Sequence, residues 1–580
     1  MSKPQSETGW STLTLSVVSC LCYWAALPPC NLGPLAWLAP LGWLWLVRRP
    51  SLAGKKPYRT LWCTALLFWV VLLYGVTLAH PANYVGLAVL AAYLACYCPL
   101  FVGLARVAYW RWGWPLCLVA PVVWVGLELA RGHVATGFSV ALLAHTQMKW
   151  LGLLQIADVF GAYGVSFLIV FFAAAVSSVL QLSSVLQLSS EPAGKPVSRV
   201  VWRRYLPIAI GLLLLLGALW YGEWRLGQQL PDSMHRRTLR VGLVQGAVDT
   251  RFDVESDYFW DAFESYRELN RKLAQRDQEL DLVVWPESAF EGGLPELRYD
   301  SRTRVPGLSA TVSAERLKQW DASFQEKLKL VALEAGAGRV GEGPLLLVGT
   351  GTRDLRLGQE RVFNSALLVN QQGRIVGRYA KMHPVLFGEY VPLGDVFPSL
   401  YGLFPIGPGL SSGTVAVAMQ VADFILAPSI CFETTVPHLL RKQANQLAAS
   451  QMRADVLVNL TNDGWFYGST ILDLHFNCGV FRAIENRSPL LIAANTGLSG
   501  FIDGNGRVRK QGHRRREDLL VAEVAPDGRT SYYQEVLGDW PAGVCLGLTL
   551  LMALTGSWQS VRRESTLPMV PETRRESRSL

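Results

Sequence analysis

Seven apolar runs lie before residue 230, at about 10–29, 33–47, 61–80, 84–105, 114–131, 160–182 and 206–224. An eighth lies near 537–558. Runs of roughly 20 apolar residues cross a bilayer as helices, because only a helix satisfies its own backbone in hydrocarbon. The pattern predicts a polytopic helical membrane domain of about eight spans. The second run is short and reads as a tilted or re-entrant segment. The first follows MSKPQSETG, with one lysine and no A-x-A site, so a retained anchor is expected rather than a cleaved leader.

The charges fit one topology. Arg48, Arg49, Lys55, Lys56 and Arg59 follow run two, Arg106 and Arg111 follow run four, and Lys195, Arg199, Arg203 and Arg204 follow run six. Arg562, Arg563, Arg574, Arg575 and Arg578 follow run eight. The even-numbered exits are basic and therefore cytoplasmic, which puts the long segment between runs seven and eight outside. The net charge of +9 is thus topology charge, and no nucleic-acid partner is expected. Within the runs, Glu128 and Arg131 are the main charges, too few for an ion or solute pathway. Cys96 and Cys98 form a C-x-C without nearby histidines, and no metal or other cofactor is expected. The tandem SSVLQLSSVLQLSS at 177–190 extends a helix end or forms a loop.

Residues 238–535 have another texture. β-rich runs at 239–246, 280–286, 345–351, 362–370, 373–380, 414–419, 454–460 and 489–496 alternate with helical candidates near 255–279, 309–336, 434–450 and 472–487. Such alternation predicts a layered α/β domain. The expected organisation is a membrane domain over 1–230, an α/β domain over 231–535, a last span over 536–558, and a disordered cytoplasmic tail over 559–580.

Three polar residues end strand-like runs. Glu287 follows LVVWP, Lys381 follows GRIVGRYA, and Cys431 follows VADFILAPSI. Alone, each has an ordinary reading as a surface glutamate, a loop lysine or an inert buried thiol. Together they supply a base, an oxyanion stabiliser and a nucleophile, the full set for covalent acyl chemistry. Cys431 sits at a strand-to-helix turn, where the positive helix end is expected to lower its pKa. Glu389, in HPVLFGEYVP, is placed to hydrogen-bond the lysine or a backbone group, and Glu433 to orient the site or start the helix. His383, His438 and His475 sit in no nucleophile motif, so a Cys-His arrangement is disfavoured.

WPES, YAKMHPVLFGEYVP, PSICFE and NLTNDGWFYGS occur in the order of the nitrilase (carbon–nitrogen hydrolase) superfamily, which this segment resembles. With the flanking spans, the whole chain resembles a membrane-embedded acyltransferase branch of it. The resemblance implies an α-β-β-α sandwich with Glu287 as base, Lys381 as oxyanion stabiliser and Cys431 as nucleophile. It also implies Glu389 and Glu433 as supporting carboxylates and Asn364 and Trp465 near the site; Phe387 and Tyr390, on the Glu389 loop, are further substrate-binding candidates. The implied reaction moves a fatty acyl chain from a membrane phospholipid, through a Cys431 thioester, to the α-amino group of the S-diacylglyceryl-cysteine of an apolipoprotein. The implied setting is the bacterial inner membrane, with the catalytic domain facing the periplasm and the protein a monomer. A membrane-tethered amidase with the same triad is the alternative. Phe432, where a tyrosine is common, the segment after Trp465 and the 395–413 loop depart from the family pattern. The loops around Phe387 and Tyr390 and from Tyr401 to Pro408 are the expected contacts for acyl chains.

Overall fold

The computed structural model describes residues 10–188, 197–229, 237–249, 256–299, 314–339, 342–356, 360–391, 394, 396–397, 399, 401 and 409–565. The membrane part contains helices α1 (Thr12–Ala26), α2 (Ala39–Arg48), α3 (Pro57–Leu73), α4 (Asn83–Ala95), α5 (Tyr97–Arg111), α6 (Leu116–His133), α7 (Leu151–Leu154), α8 (Ala157–Leu188) and α9 (Val197–Gly227). Among the described residues, five helical stretches are long and apolar enough to cross a membrane: Pro57–Leu78, Asn83–Arg111, Leu116–Thr136, Ala157–Leu180 and Tyr205–Gly227. Thr12–Ala26 and Trp540–Thr555 are apolar but shorter. The second expected run is broken into a 3-10 turn, Gly33–Trp37, and the ten-residue α2. The first twelve residues of the tandem repeat lie in α8, which ends at Leu188.

The α/β part is a sandwich of two sheets. The first sheet holds β1 (Leu239–Gln245), β2 (Leu282–Val284), β3 (Glu296–Arg298), β4 (Leu345–Asp354), β5 (Arg361–Val369), β6 (Ile375–Ala380) and β13 (Asp518–Val524), in the order β13-β1-β2-β4-β5-β6 with β3 beside β4. The second holds β7 (Met419–Val421), β8 (Phe424–Ile430), β9 (Val456–Thr461), β10 (Leu490–Ala494), β11 (Gly500–Ile502) and β12 (Val508–Gln511), in the order β12-β11-β10-β9-β8-β7. At the centre of each sheet the strands are parallel, β1-β2-β4 in one and β8-β9-β10 in the other. Parallel strands are buried on both faces, which is why VLVNLT of β9 is buried at every position.

Between the sheets, Leu243, Val284, Leu368, Ile430, Val458 and Leu491 form a shared apolar core. Helices α10 (Ser256–Arg276) and α11 (Ala314–Ala335) cover the first sheet through Phe263, Tyr266, Leu273, Phe324 and Leu328. Helices α12 (Pro437–Ala449) and α13 (Ile471–Asn486) lie on the second, and their core residues Leu440, Leu447, Leu474 and Phe481 merge with the core of the membrane helices. Hence α13 is buried nearly all round, as a helix held between two layers must be.

One buried charge cluster ties the two parts together. Asp158 of α8 accepts Tyr221 at 2.6 Å and Arg225 at 2.7 Å from α9, and Arg487 at 2.6 Å from the end of α13. Gly161, at φ +63°, breaks α8 where the ring of Tyr533 presses on it, and an added Cβ would come 2.8 Å from that ring.

Two sequence expectations need correction. The run at 414–419 is not a strand until Met419; Ala416 and Ala418 pack instead on the apolar cluster that the membrane helices share with the outer face of the second sheet. The last helix, α14 (Trp540–Ser565), continues past 558, so the first residues assigned to a disordered tail are helical; residues 566–580 lie outside those described.

Candidate active site

The site gathers where strands end. Glu287 follows β2, Cys431 follows β8, Asn462 and Asp463 follow β9, and Asn495 follows β10. These are carboxyl ends of parallel strands, the usual place for a site in open α/β sheets. Lys381 follows β6, and its backbone N–H donates to the Asn364 carbonyl on β5 at 2.8 Å, which fixes the strand end.

A single lysine serves two carboxylates. Lys381 is 1% exposed, and its Nζ donates to Glu389 Oε1 at 2.7 Å and lies 3.4 Å from Glu287 Oε1. Asn364 Nδ2 donates to the same Glu287 oxygen at 2.6 Å and lies 3.4 Å from Glu389 Oε1. The other Glu287 oxygen accepts the Asn462 backbone N–H at 2.7 Å, and Glu389 Oε2 accepts that of Val385 at 2.7 Å. Burial opposes the lysine's charge, but Glu287 and Glu389 outweigh it and raise its pKa, so the ammonium stays charged. Burial raises the Glu287 carboxyl above the usual range, with Glu389 adding to the rise and Lys381 opposing it. A carboxylate so shifted is a better base near neutrality.

Cys431 has φ +54°, a left-handed conformation that costs a non-glycine residue of order 1–3 kcal/mol. It is the first residue of a one-turn 3-10 helix, Cys431–Thr435. The expected depression of its pKa is overturned. Burial and the Glu287 carboxylate push the thiol well above its ordinary value, and Lys381 offsets this only in part. Five residues of 3-10 helix give a weak dipole, whereas Glu287 brings a full negative charge. Cys431 therefore rests as a thiol, which must lose its proton before it can act as a nucleophile. Alkylation of Cys431 by iodoacetamide is accordingly expected to rise with pH above the ordinary carboxylate range, following Glu287. In Glu287→Gln that rise should vanish and leave only the alkaline titration of the thiol; an unchanged profile would assign the proton to another base.

Glu433 staples the two halves of the site. Its Oε1 accepts the backbone N–H groups of Met382 at 2.7 Å and His383 at 3.0 Å, beside Lys381. Its Oε2 accepts the Ile430 N–H at 2.7 Å, beside Cys431, and the Tyr379 hydroxyl at 2.8 Å. Burial raises its pKa to about 7, while these donors and Lys381 pull it down.

The remaining sequence candidates are spread around this centre. Asn364 lies between the two carboxylates, 8% exposed, instead of on an open substrate surface. Phe387 is exposed on the loop that carries Glu389, at φ +60°, and Tyr390 is half-buried there, its carbonyl accepting the Phe387 N–H at 2.8 Å. Trp465 is half-buried in the 3-10 turn Asp463–Phe466. Phe432 packs on the apolar cluster shared by the two parts and stacks with His383, whose Nε2 lies 2.7 Å from the Thr136 carbonyl of the membrane part. Of the loop from Tyr401 to Pro408, residues 402–408 lie outside those described.

Sequence reasoning missed Asn462, Asn495 and Asp463, and it named His475 only to set it aside. Asn495 Nδ2 donates to Asn462 Oδ1 at 2.9 Å, which holds the backbone N–H that reaches Glu287. His475 Nε2 lies 3.1 Å from the Cys431 carbonyl. The NLTNDGWFYGS motif held the signal for Asn462 and Asp463; His475 lies 44 residues from Cys431, and no spacing announces it.

Comparison with known proteins agrees over the full length. Residues 19–175 match the family described as apolipoprotein N-acyltransferase N-terminal domain, and residues 240–534 match carbon-nitrogen hydrolase. The chain is 31% identical to an apolipoprotein N-acyltransferase of Rhodopirellula baltica, over 94% of this chain and 97% of the relative. It is 31% identical to one from Geobacter metallireducens, over 95% and 96%, and 26% identical to one from Haemophilus influenzae, over 96% of each.

Proposed function

As the chain belongs to the apolipoprotein N-acyltransferase family, whose catalytic part is a carbon-nitrogen hydrolase domain, we propose that its site N-acylates lipoproteins through an acyl group carried on Cys431. The observation that carries this reading is the buried Lys381 bridging Glu287 and Glu389 beside Cys431, in a chain whose catalytic core continues into a bundle of apolar helices.

The cycle has two halves. Glu287 takes the thiol proton as Cys431 Sγ attacks an ester carbonyl of a membrane phospholipid. Lys381, already charged, stabilises the oxyanion without proton transfer. The carbon–oxygen bond breaks, the proton on Glu287 passes to the departing lysophospholipid, and a thioester remains. The α-amino group of the diacylated cysteine then attacks the thioester and gives its proton to Glu287. The carbon–sulfur bond breaks, and the proton returns to the thiolate. Glu389 keeps Lys381 in place, Glu433 keeps Cys431 against Lys381, and Phe387 and Tyr390 line the approach of the acyl chains.

The setting follows from the same reading: a multi-pass protein of the bacterial inner membrane, with this domain on the periplasmic side at the depth of its lipid-anchored substrates. Basic residues at the even-numbered exits support that orientation. The amidase alternative loses ground, because the full-length relatives are acyltransferases and their match includes the membrane helices.

Intact-mass analysis tests the reading. Purified protein incubated with phospholipid and no acceptor should gain one acyl mass, and Cys431→Ala should gain none. Turnover of small amides with no acyl adduct would favour the hydrolase instead.

A further inference from the structure

The carbonyl of Cys431 is met by three polar groups from three parts of the fold. Asn459 Nδ2 of β9 lies 3.3 Å away, the Thr434 hydroxyl 3.1 Å, and His475 Nε2 of α13 3.1 Å. Behind the imidazole, His475 Nδ1 lies 3.2 Å from Asp463 Oδ1, which also accepts the Thr461 hydroxyl at 3.0 Å. We infer that His475, as an imidazolium backed by Asp463, is a positioning residue for the nucleophile: it grips the Cys431 carbonyl and so holds the left-handed backbone that presents the thiol.

The protonation state follows from the partners. A carbonyl oxygen and a carboxylate only accept, so a ring that bonds both carries hydrogen on both nitrogens. Thr434 Oγ1, 2.8 Å from Nε2, spends its own proton on the Cys431 carbonyl and can accept from the ring. A neutral ring with its hydrogen on Nδ1 would keep the Asp463 bond, accept the Thr434 hydroxyl at Nε2, release the Cys431 carbonyl and leave the Asp463 charge uncompensated at 3% exposure. The groups touching the ring are Asp463, the Thr434 hydroxyl and the Cys431 carbonyl, with the Glu287 charge acting from farther off. Burial opposes its charge, yet Asp463 and these neighbours outweigh burial and raise the histidine's pKa. The backbone conformation gives this grip its purpose. A non-glycine residue at φ +54° persists only where its surroundings over-determine it.

The inference rests on Cys431 being the acyl carrier, and single-turnover acylation by phospholipid, followed by intact mass against pH, separates the two. In the wild type the rate should rise with Glu287 ionisation and fall again on an alkaline limb as the imidazolium is lost. His475→Ala should acylate about 10²-fold more slowly, the scale of a misplaced reacting group, with an unchanged phospholipid KM. His475→Gln, which keeps a neutral donor, should recover to within about 10-fold of wild type and lose the alkaline limb. Asp463→Asn should move that limb to lower pH. A residue that served only in packing would change the melting temperature and leave the pH profile alone. Wild-type acylation in His475→Ala, or an alkaline limb that survives in His475→Gln, overturns the inference and leaves the Cys431 cycle standing. No adduct in the wild type removes both.

Discussion

Lys381→Met is expected to slow acylation of Cys431 by about 10³-fold or more and to lower the melting temperature in the same variant. The first effect is chemical. Removing one donor to a developing oxyanion costs about 10²–10³ in rate, and here the donor also carries a full charge in a buried site. The second is electrostatic. Lys381 is the ammonium that bridges Glu287 and Glu389, at 3.4 and 2.7 Å. Without it, the buried Glu287 carboxyl and the partly buried Glu389 carboxyl face each other, and breaking a buried pair costs about 3–5 kcal/mol. Single-turnover acylation and thermal unfolding in detergent read the two effects separately. The double variant Lys381→Met/Glu389→Gln should regain much of the melting temperature and none of the rate. Loss of rate with no loss of stability would mean that the carboxyls are not held charged by the lysine.

Glu433→Ala is expected to be nearly as damaging, although Glu433 touches no reacting atom. Four donors lose their acceptor: the N–H groups of Ile430, Met382 and His383 and the Tyr379 hydroxyl. Each buried donor left unsatisfied costs about 1–3 kcal/mol, so destabilisation of at least about 4 kcal/mol is expected if the cavity stays dry. The same bonds register Cys431 against Lys381, so acylation should fall about 10²-fold. Glu433→Gln should not rescue it, because the amide NH2 would face donors. Retention of both rate and stability in that variant would show that water can take over the staple.

Much of this was legible in the sequence. Apolar runs announced the membrane helices, and strand-like runs alternating with amphipathic ones announced the layers. WPES, YAKMHP and PSICFE each marked a polar residue at a strand end. Local pattern fails where a position is decided by partners far along the chain. Val417 belongs to a β-rich run, yet it lies outside the sheet. The thiol of Cys431 was expected to be acidified by a helix end, a local effect. Its pKa is set instead by burial and by Glu287, 144 residues earlier in the chain.

The sequence by itself determined that this chain carries apolar runs long enough to cross a membrane, has an α/β domain between its last two apolar runs, and places a glutamate, a lysine and a cysteine at strand ends. These are consequences of local hydrophobicity and of residue type, which need no knowledge of what packs on what. Only the tertiary structure decided how the three are poised. It put one ammonium between two carboxylates, stapled the Lys381 and Cys431 loops through Glu433, and set His475 on the Cys431 carbonyl. The physical reason is that pKa and backbone strain depend on groups brought within about 3 Å by folding, and sequence separation says nothing about that distance.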